Sequence, residues 1–478
     1  MPWTTAAALA LSGAGCSWAA PERYVRDAAP PPDQVARQAA AAGRAPFLEP
    51  PAAPAPAPAP EPHTLADLID LALAHDPTTR AAWYDARVAA AVAGGARSAY
   101  LPAVEGGVGA ERARSGGGVG REPSEGSTLG LSGSVTWVLF DMGARGALID
   151  SADAALAAAR LSEHAAVADL VLRVQQTHFQ YLGALALVDA QTSSVKVAEA
   201  SLAAAEARRR AGVATVADVL QARTALSQAQ LTLQLVEGQA LALRGALATL
   251  AGLSPTAALD VGALPTELPR TEAEPTIDAL LATAAERNPD LGQARASAEA
   301  AEARARAAGR AWLPVLSAQG SAAQTWYLTP EDDPQTTWAF GLSLRLPLFE
   351  GLRPAYEVQA ARASARASRE RAEAARQDVA LSVWTSYQAF RSAGRRVETA
   401  RALLESATAS TDLAQGRYRE GVGSILDLLN AQSALALARA EDVRARADYL
   451  VSLAQLARAT GRLHLPDGPP PAAPESAP

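Results

Sequence analysis

The sequence has almost no cysteine. A single thiol, Cys16, in 478 residues excludes an internal disulfide framework and any metal site built from several thiolates. Aromatic residues make up only 5% although apolar residues reach 49%, because alanine carries much of the apolar count. Alanine favours helix and lets helices approach closely. No run of ~18 apolar residues occurs, so no transmembrane helix is written in the chain. The five histidines, His63, His75, His164, His178 and His464, contain no pair at the i, i+3 or i, i+4 spacing of helical metal ligands. No glycine-rich phosphate loop follows a strand, and no convergent set of titratable groups marks a catalytic centre. The net charge of −7 is mild and gives no basic face for nucleic acid. These absences argue against an enzyme, and no cofactor or metal is implied.

What is present is duplication. HDPTTRAAWYDARVAAAVAGGARSAYLPAV (75–104) pairs with RNPDLGQARASAEAAEARARAAGRAWLPVL (287–316), and Pro77 and Pro102 recur at Pro289 and Pro314, both at an offset of 212. LFDMG (139–143) pairs with LFEG (348–351). ATVADVLQAR (214–223) returns as GSILDLLNAQ (423–432), at an offset of 209. Two copies of one unit of roughly 200 residues therefore fill residues 64–263 and 276–463, and a repeat of that kind decides the fold. Outside them lie an Ala/Pro-rich spacer (17–62), ending in PAAPAPAPAPEP, and a tail of similar composition (464–478), neither able to bury a core.

Each copy has one grammar. An Ala-rich helix comes first, about 64–99 and 276–311. Then comes a segment of period-2 alternation. Leu129, Leu131, Val135, Trp137 and Leu139 alternate with small polar residues, as do Trp338, Phe340, Leu342, Leu344, Leu346 and Leu348. Period 2 means a strand with one apolar and one polar face. A weaker strand precedes each, about 103–112 and 315–326, across the turn-rich connectors 115–127 and 328–335, so each copy holds one hairpin. Strands of ~10 residues cross a tilted bilayer. Aromatics stand at the strand ends: Tyr100 and Trp312 before the first strand, Phe140 and Phe349 after the second, Trp326 and Trp338 flanking the second connector. That is the placement two membrane interfaces select. A soluble sandwich with one wet face remains the other reading. Four strands cannot close a membrane barrel, which begins at ~8, and open edges are not tolerated in lipid, so spanning strands require several chains to share one barrel. Arg345 falls on the polar face, to line the lumen or to pair with an acid across strands.

After each hairpin runs a helix of about 65 residues (145–209 and 353–418), some 98 Å at 1.5 Å per residue. A turn and a return helix (216–251 and 424–461) follow. The repeated phrase marks that turn. RRRAGVATVAD and RYREGVGSILD bend at Gly212 and Gly421, and Thr215/Asp218 and Ser424/Asp427 form capping boxes at the return helices.

On these residues the chain resembles the TolC-like outer-membrane efflux protein family, in its lipoprotein branch, over about residues 64–463. The resemblance rests on the duplicated helix–hairpin–long helix–turn–helix unit, the YLP/WLP and LFD/LFE junctions and RYREGVGSILDLLNAQ. It implies a mainly α chain with four barrel strands, a homotrimer closing a 12-strand barrel in outer-membrane lipid, and a coiled-coil tunnel into the periplasm. It implies a passive efflux channel served by a periplasmic membrane-fusion adaptor and an energised inner-membrane pump. By the same resemblance Asp427 lines the tunnel constriction, Asn430 matches a second constriction position, Tyr418 a tip aromatic of the closed state, and Asp218 is the equivalent acid of the first repeat. The turns, with Gly212, Val213, Gly421 and Val422, are where adaptors dock. Gly423 stands where some relatives carry an arginine, leaving Arg417 or Arg419 to replace it. Residues 1–16, MPWTTAAALALSGAGC, resemble a lipoprotein signal with Cys16 as the lipidated residue. They depart from it in lacking an early Lys or Arg and in having Gly13 where Leu is usual, and an ordinary signal peptide is the alternative. Two other functions remain open: an outer-membrane channel for type I protein secretion, and a lipid-tethered periplasmic coiled-coil scaffold without a pore.

Overall fold

Thr64 opens the first helix of the computed structural model. Its hydroxyl accepts from the Asp67 amide at 3.2 Å, and the Asp67 carboxylate accepts the Thr64 amide at 2.8 Å. The structure describes residues 63–116, 124–269 and 276–463. The expectations for 1–16, 17–62 and 464–478, Cys16 among them, lie outside the described residues.

The order is α1 (Leu65–His75), α2 (Pro77–Ser98), β1 (Ala103–Ser115), β2 (Ser124–Phe140), α3 (Ala144–Arg210) and α4 (Val216–Leu250). It repeats as α5 (Ile277–Arg287), α6 (Pro289–Arg310), β3 (Val315–Thr329), β4 (Glu331–Arg345), α7 (Arg353–Arg419) and α8 (Ile425–Ala459). Helix lengths of 11, 22, 67 and 35 residues are identical in the two halves. The long helices have no proline in their interiors; Pro354 sits in the first turn of α7, where the missing N–H is not needed.

The sequence reading is corrected at the first helix of each repeat. What read as one helix (64–99, 276–311) is two, broken at Asp76 and Asn288. Both residues precede a proline, whose ring pushes the preceding residue out of the α region, and both are extended, at ψ 123° and 120°. Each proline then starts the next helix.

The four strands form one antiparallel sheet, β1-β2-β3-β4. Its register gathers the apolar positions on one face: Val104, Val108 and Ala110 of β1, Leu129, Leu131, Val135 and Trp137 of β2, Leu316, Ala318, Ala322 and Trp326 of β3, and Trp338, Phe340, Leu342 and Leu344 of β4. A one-residue slip would scatter this set over both faces. Gln324 interrupts it and accepts a hydrogen bond from the Thr336 hydroxyl. The other face, with Ser132, Ser134, Thr136, Ser321, Thr337, Ser343 and Arg345, is largely small or polar. The apolar face has no cover among the described residues: Trp338 is 79% and Phe340 74% exposed.

The strands are 13 to 17 residues long, beyond the ~9–11 of one crossing. Most of the second connector is strand, because pairing continues to Leu328 and Glu331 and leaves a tight turn at Pro330. This corrects the placement of the aromatics. Tyr100, Trp312 and Phe140 do stand at strand ends. Phe349 lies beyond the end of β4, Trp326 is inside β3, and Trp338 is in the middle of β4, opposite Ala322.

The described chain divides into two compact units that cut across the repeats. One holds the sheet with the helix segments next to it (84–160 and 293–374) and the other holds the remaining helices. In the first, Asp141 is buried and caps α3 by accepting the Gly143 and Arg145 amides at 3.2 and 2.8 Å. Its partner Arg145 lies over the Tyr100 ring and donates to the Ala99 carbonyl at 2.9 Å, tying strand entry to strand exit. In the second, Leu68, Leu73, Leu170, Val174 and Leu247 are almost fully buried in one cluster with Leu259 and Val261 of the segment after α4. Each such side chain contributes about 1.5–3 kcal/mol. Leu280, Leu291, Val383 and Phe390 form the matching cluster of the second repeat. His178 is buried without a partner for Nδ1, and burial lowers its pKa to about 4, so it stays neutral.

Candidate gate at the two helix turns

α3 and α7 stop in the same way. The Val213 amide reaches back to the Arg208 carbonyl (3.0 Å) and the Gly212 amide to Arg209 (2.9 Å); Val422 and Gly421 repeat this with Arg417 and Tyr418 at 3.0 and 3.2 Å. This is the paired-bond helix terminus that needs a left-handed residue, and Gly212 and Gly421 supply it at φ 78° and 80°.

Both capping boxes form. Thr215 and Asp218 exchange bonds of 2.7 and 3.2 Å, Ser424 and Asp427 bonds of 3.3 and 3.1 Å. The Ser424 hydrogen bonds, with a smaller contribution from Arg417, hold the exposed Asp427 carboxyl below its ordinary value. The positive end of α8 lies at the same place. Asn430 follows three residues on, which puts it on the same exposed face of α8. Asp218 is half-buried.

The two turns are joined by a residue the sequence reading did not single out. Arg208, near the end of α3, donates from Nη1 to the Tyr418 carbonyl at 2.8 Å, and its guanidinium carbon lies 4.7 Å from the centre of the Tyr418 ring. Tyr418 is buried on Ile425 and Leu428. Burial pushes its hydroxyl up, Arg208 offsets part of that, and Asp218 adds to it. So Arg208 and Tyr418 are joined directly, the charge of Asp218 acts on the Tyr418 hydroxyl, and Asp427 and Asn430 are exposed. Arg208 is the first of three consecutive arginines, and the sequence alone does not say which of the three faces inward. The structure gives the contact with Tyr418 to Arg208 of the first repeat, not to Arg417 or Arg419. Gly423 also has a local reason. A Cβ there would lie 3.1 Å from Arg417 Cβ and 3.2 Å from the Tyr418 amide nitrogen, so a side chain would require the end of α7 to give by a few tenths of an ångström. Higher up, Ser201 of α3 and Gln432 of α8 form a second tie at 2.9 Å. Val213 and Val422 project from the turns, 65% and 70% exposed.

This duplicated architecture has known counterparts. The profile of the outer membrane efflux protein family matches residues 68–253 and 280–462, one match to each repeat. The chain belongs to that family. Protein CyaE of Bordetella pertussis is 30% identical over 412 residues, covering 85% of this chain and 86% of its own length. The outer membrane protein OprJ of Pseudomonas aeruginosa is 30% identical over 318 residues, 65% of each chain. A solved structure of a membrane protein from Pseudomonas aeruginosa superposes with a TM-score of 0.74 at 25% identity, over 83% of this chain and 93% of that one. The mainly helical fold with four strands is the family's fold, and the chain is an outer-membrane protein of a family of channels, not of enzymes. No described helix is long and apolar enough to cross a membrane, and among the described residues no group of three or more His, Cys, Asp or Glu is placed to hold a metal ion.

Proposed function

We propose that the chain is one third of a trimeric outer-membrane conduit in a tripartite efflux system, passive in itself and gated at the two helix turns. The observation that carries this is the sheet: an apolar face broken at Gln324 and Thr336, a largely small or polar opposite face, and two edges with no partner strand among the described residues. Open edges are not stable in lipid. Three copies of the four-stranded sheet give twelve strands, above the ~8 at which barrels close, with Arg345 and the polar face toward the lumen. Trp326 and Trp338 then sit at membrane depth near the outer interface, and the hairpins extend past it; Tyr100, Trp312, Phe140 and Phe349 mark the inner one. Asp427, with Asn430, lines the narrow end as a three-fold acidic ring, and Tyr418 and Asp218 belong to the contact that holds it shut. A periplasmic adaptor docks on the turns at 211–215 and 420–424, which the exposed Val213 and Val422 favour, and an inner-membrane pump supplies the energy. Lipid on Cys16 anchors the N-terminus in the same membrane.

The test is whether purified protein runs as a trimer on unboiled gels and conducts ions across a planar bilayer. A folded oligomer that never conducts would return the account to a tethered scaffold. Within a conducting protein, Arg208→Ala removes a charge-assisted hydrogen bond and a cation–π contact, together about 2 kcal/mol per copy, or more than tenfold in the closing equilibrium. Conductance is expected to rise at fixed voltage, and Arg208→Lys, which keeps the charge without the planar stack, is expected to fall between.

A further inference from the structure

Charge in the sheet is concentrated on its edges. β3 carries none, and β2 carries only Glu125, which Arg112 of β1 pairs at 2.8 Å. Edge strand β1 has Glu105 near its start, and edge strand β4 ends on Arg345. Neither takes part in an ion pair among the described residues. Both lie on the polar face: Glu105 is aligned with Ser134, Ser134 with Ser321 and Ser321 with Ala339, and Arg345 is an even number of residues further along β4. Both also lie at the helix-proximal end of the sheet, since β1 follows α2 and β4 leads into α7. Within one chain they occupy opposite edges, three strand spacings or about 14 Å apart across the sheet and six residues apart along it, too far to pair.

We propose that Arg345 of one copy pairs with Glu105 of the next and sets the register of the seam between subunits. This deepens the trimeric reading and rests on it. Copies inserted in one orientation can join antiparallel only β4 to β1; β1 to β1 or β4 to β4 would run parallel and set like charges side by side. With Arg345 opposite Glu105, the lipid face of the seam places Leu344 beside Gly106, Leu342 beside Val108 and Phe340 beside Ala110, large against smaller. β3 already meets β4 this way, with Phe340 opposite Gly320 and Trp338 opposite Ala322. A slip of two residues keeps every side chain on its face but moves Arg345 opposite Ala103 or Gly107. Apolar matching discriminates weakly among those registers, and the ion pair supplies the choice. A wet ion pair adds little to stability; its role is specificity.

The experiment keeps Arg345 and Glu105 and combines Gly341→Cys in turn with Gly107→Cys, Gly109→Cys and Glu111→Cys, oxidises outer membranes, and runs boiled non-reducing gels beside the single-cysteine controls. With Arg345 opposite Glu105, Gly341 lies opposite Gly109, so the Gly109→Cys combination is expected to give the strongest covalent dimers and trimers. In parallel, Glu105→Arg and Arg345→Glu are each expected to lower the trimer fraction on unboiled gels, and the double reversal to restore it. Strongest cross-linking at Gly107 or Glu111, or a double reversal that does not restore assembly, overturns the pairing. An unboiled trimer with no cross-link in any combination overturns the seam and leaves the trimer standing. A wild-type protein that never forms an oligomer overturns the trimer itself.

Discussion

Gly461→Val is expected to abolish assembled protein at growth temperature. Gly461 ends α8 at φ 70°, with its amide on the Arg458 carbonyl and the Arg462 amide on Ala457. A Cβ there would lie 2.5 Å from the Arg287 carbonyl oxygen, 2.6 Å from its carbon and 2.9 Å from the Asn288 nitrogen. Those are backbone atoms at the α5–α6 break, and they have little room to shift. Asn288 is buried, donates to the Ala459 carbonyl at 3.0 Å and accepts the Asp290 and Leu291 amides at 3.0 and 3.3 Å. The left-handed backbone costs a non-glycine residue about 1–2 kcal/mol, and the forced contact adds about 1–3 kcal/mol. Gly262→Val is the control. Gly262 has φ 72° but nothing within 4 Å of its missing Cβ, so only the backbone cost applies and assembly is expected to persist. Thermal loss of the unboiled oligomer reads both.

Asp427→Ala is expected to change conduction instead of assembly. Three exposed carboxylates around one axis attract cations, as charged rings do in pores. Removing all three should weaken block by a multivalent cation by roughly a hundredfold. The pH dependence follows from the cap. The Ser424 bonds hold the carboxyl below its ordinary value, so its charge persists further into acid than that of a free carboxylate. The cap's contribution to folding has the same sign, complete above the unfolded value and lost as pH falls through the lowered one. Block should therefore be constant between about pH 5 and 8 and fade only in stronger acid. Losing the Asp427 side chain also removes one half of a capping box, a cost that a long, packed α8 absorbs.

Much of this molecule was legible because it is written twice. The offsets of 212 and 209 set the two hairpins and the two turns, and the long helices begin and end within one residue of the positions read from the sequence. The turns were legible because a glycine terminus followed by Thr-x-x-Asp or Ser-x-x-Asp has local causes. What local pattern did not give was anything set by a distant partner. TPEDD looks like loop, yet part of it is strand because the pairing of β3 with β4 runs on to Glu331. Pro77 and Pro289 mark the repeat, but the run of helix formers around them hides the break they impose at Asp76 and Asn288. Arg208 required the third dimension: its partner lies 210 residues away.

The most direct measurement of the account is single-channel conductance of the purified trimer in a planar bilayer, wild type against Asp427→Ala, titrated with a trivalent cation. A small, cation-selective conductance that the cation blocks, with the block lost in the variant, is the predicted result. A wild-type pore that the cation does not block, or one blocked equally in both proteins, would contradict a constriction at the repeated turn.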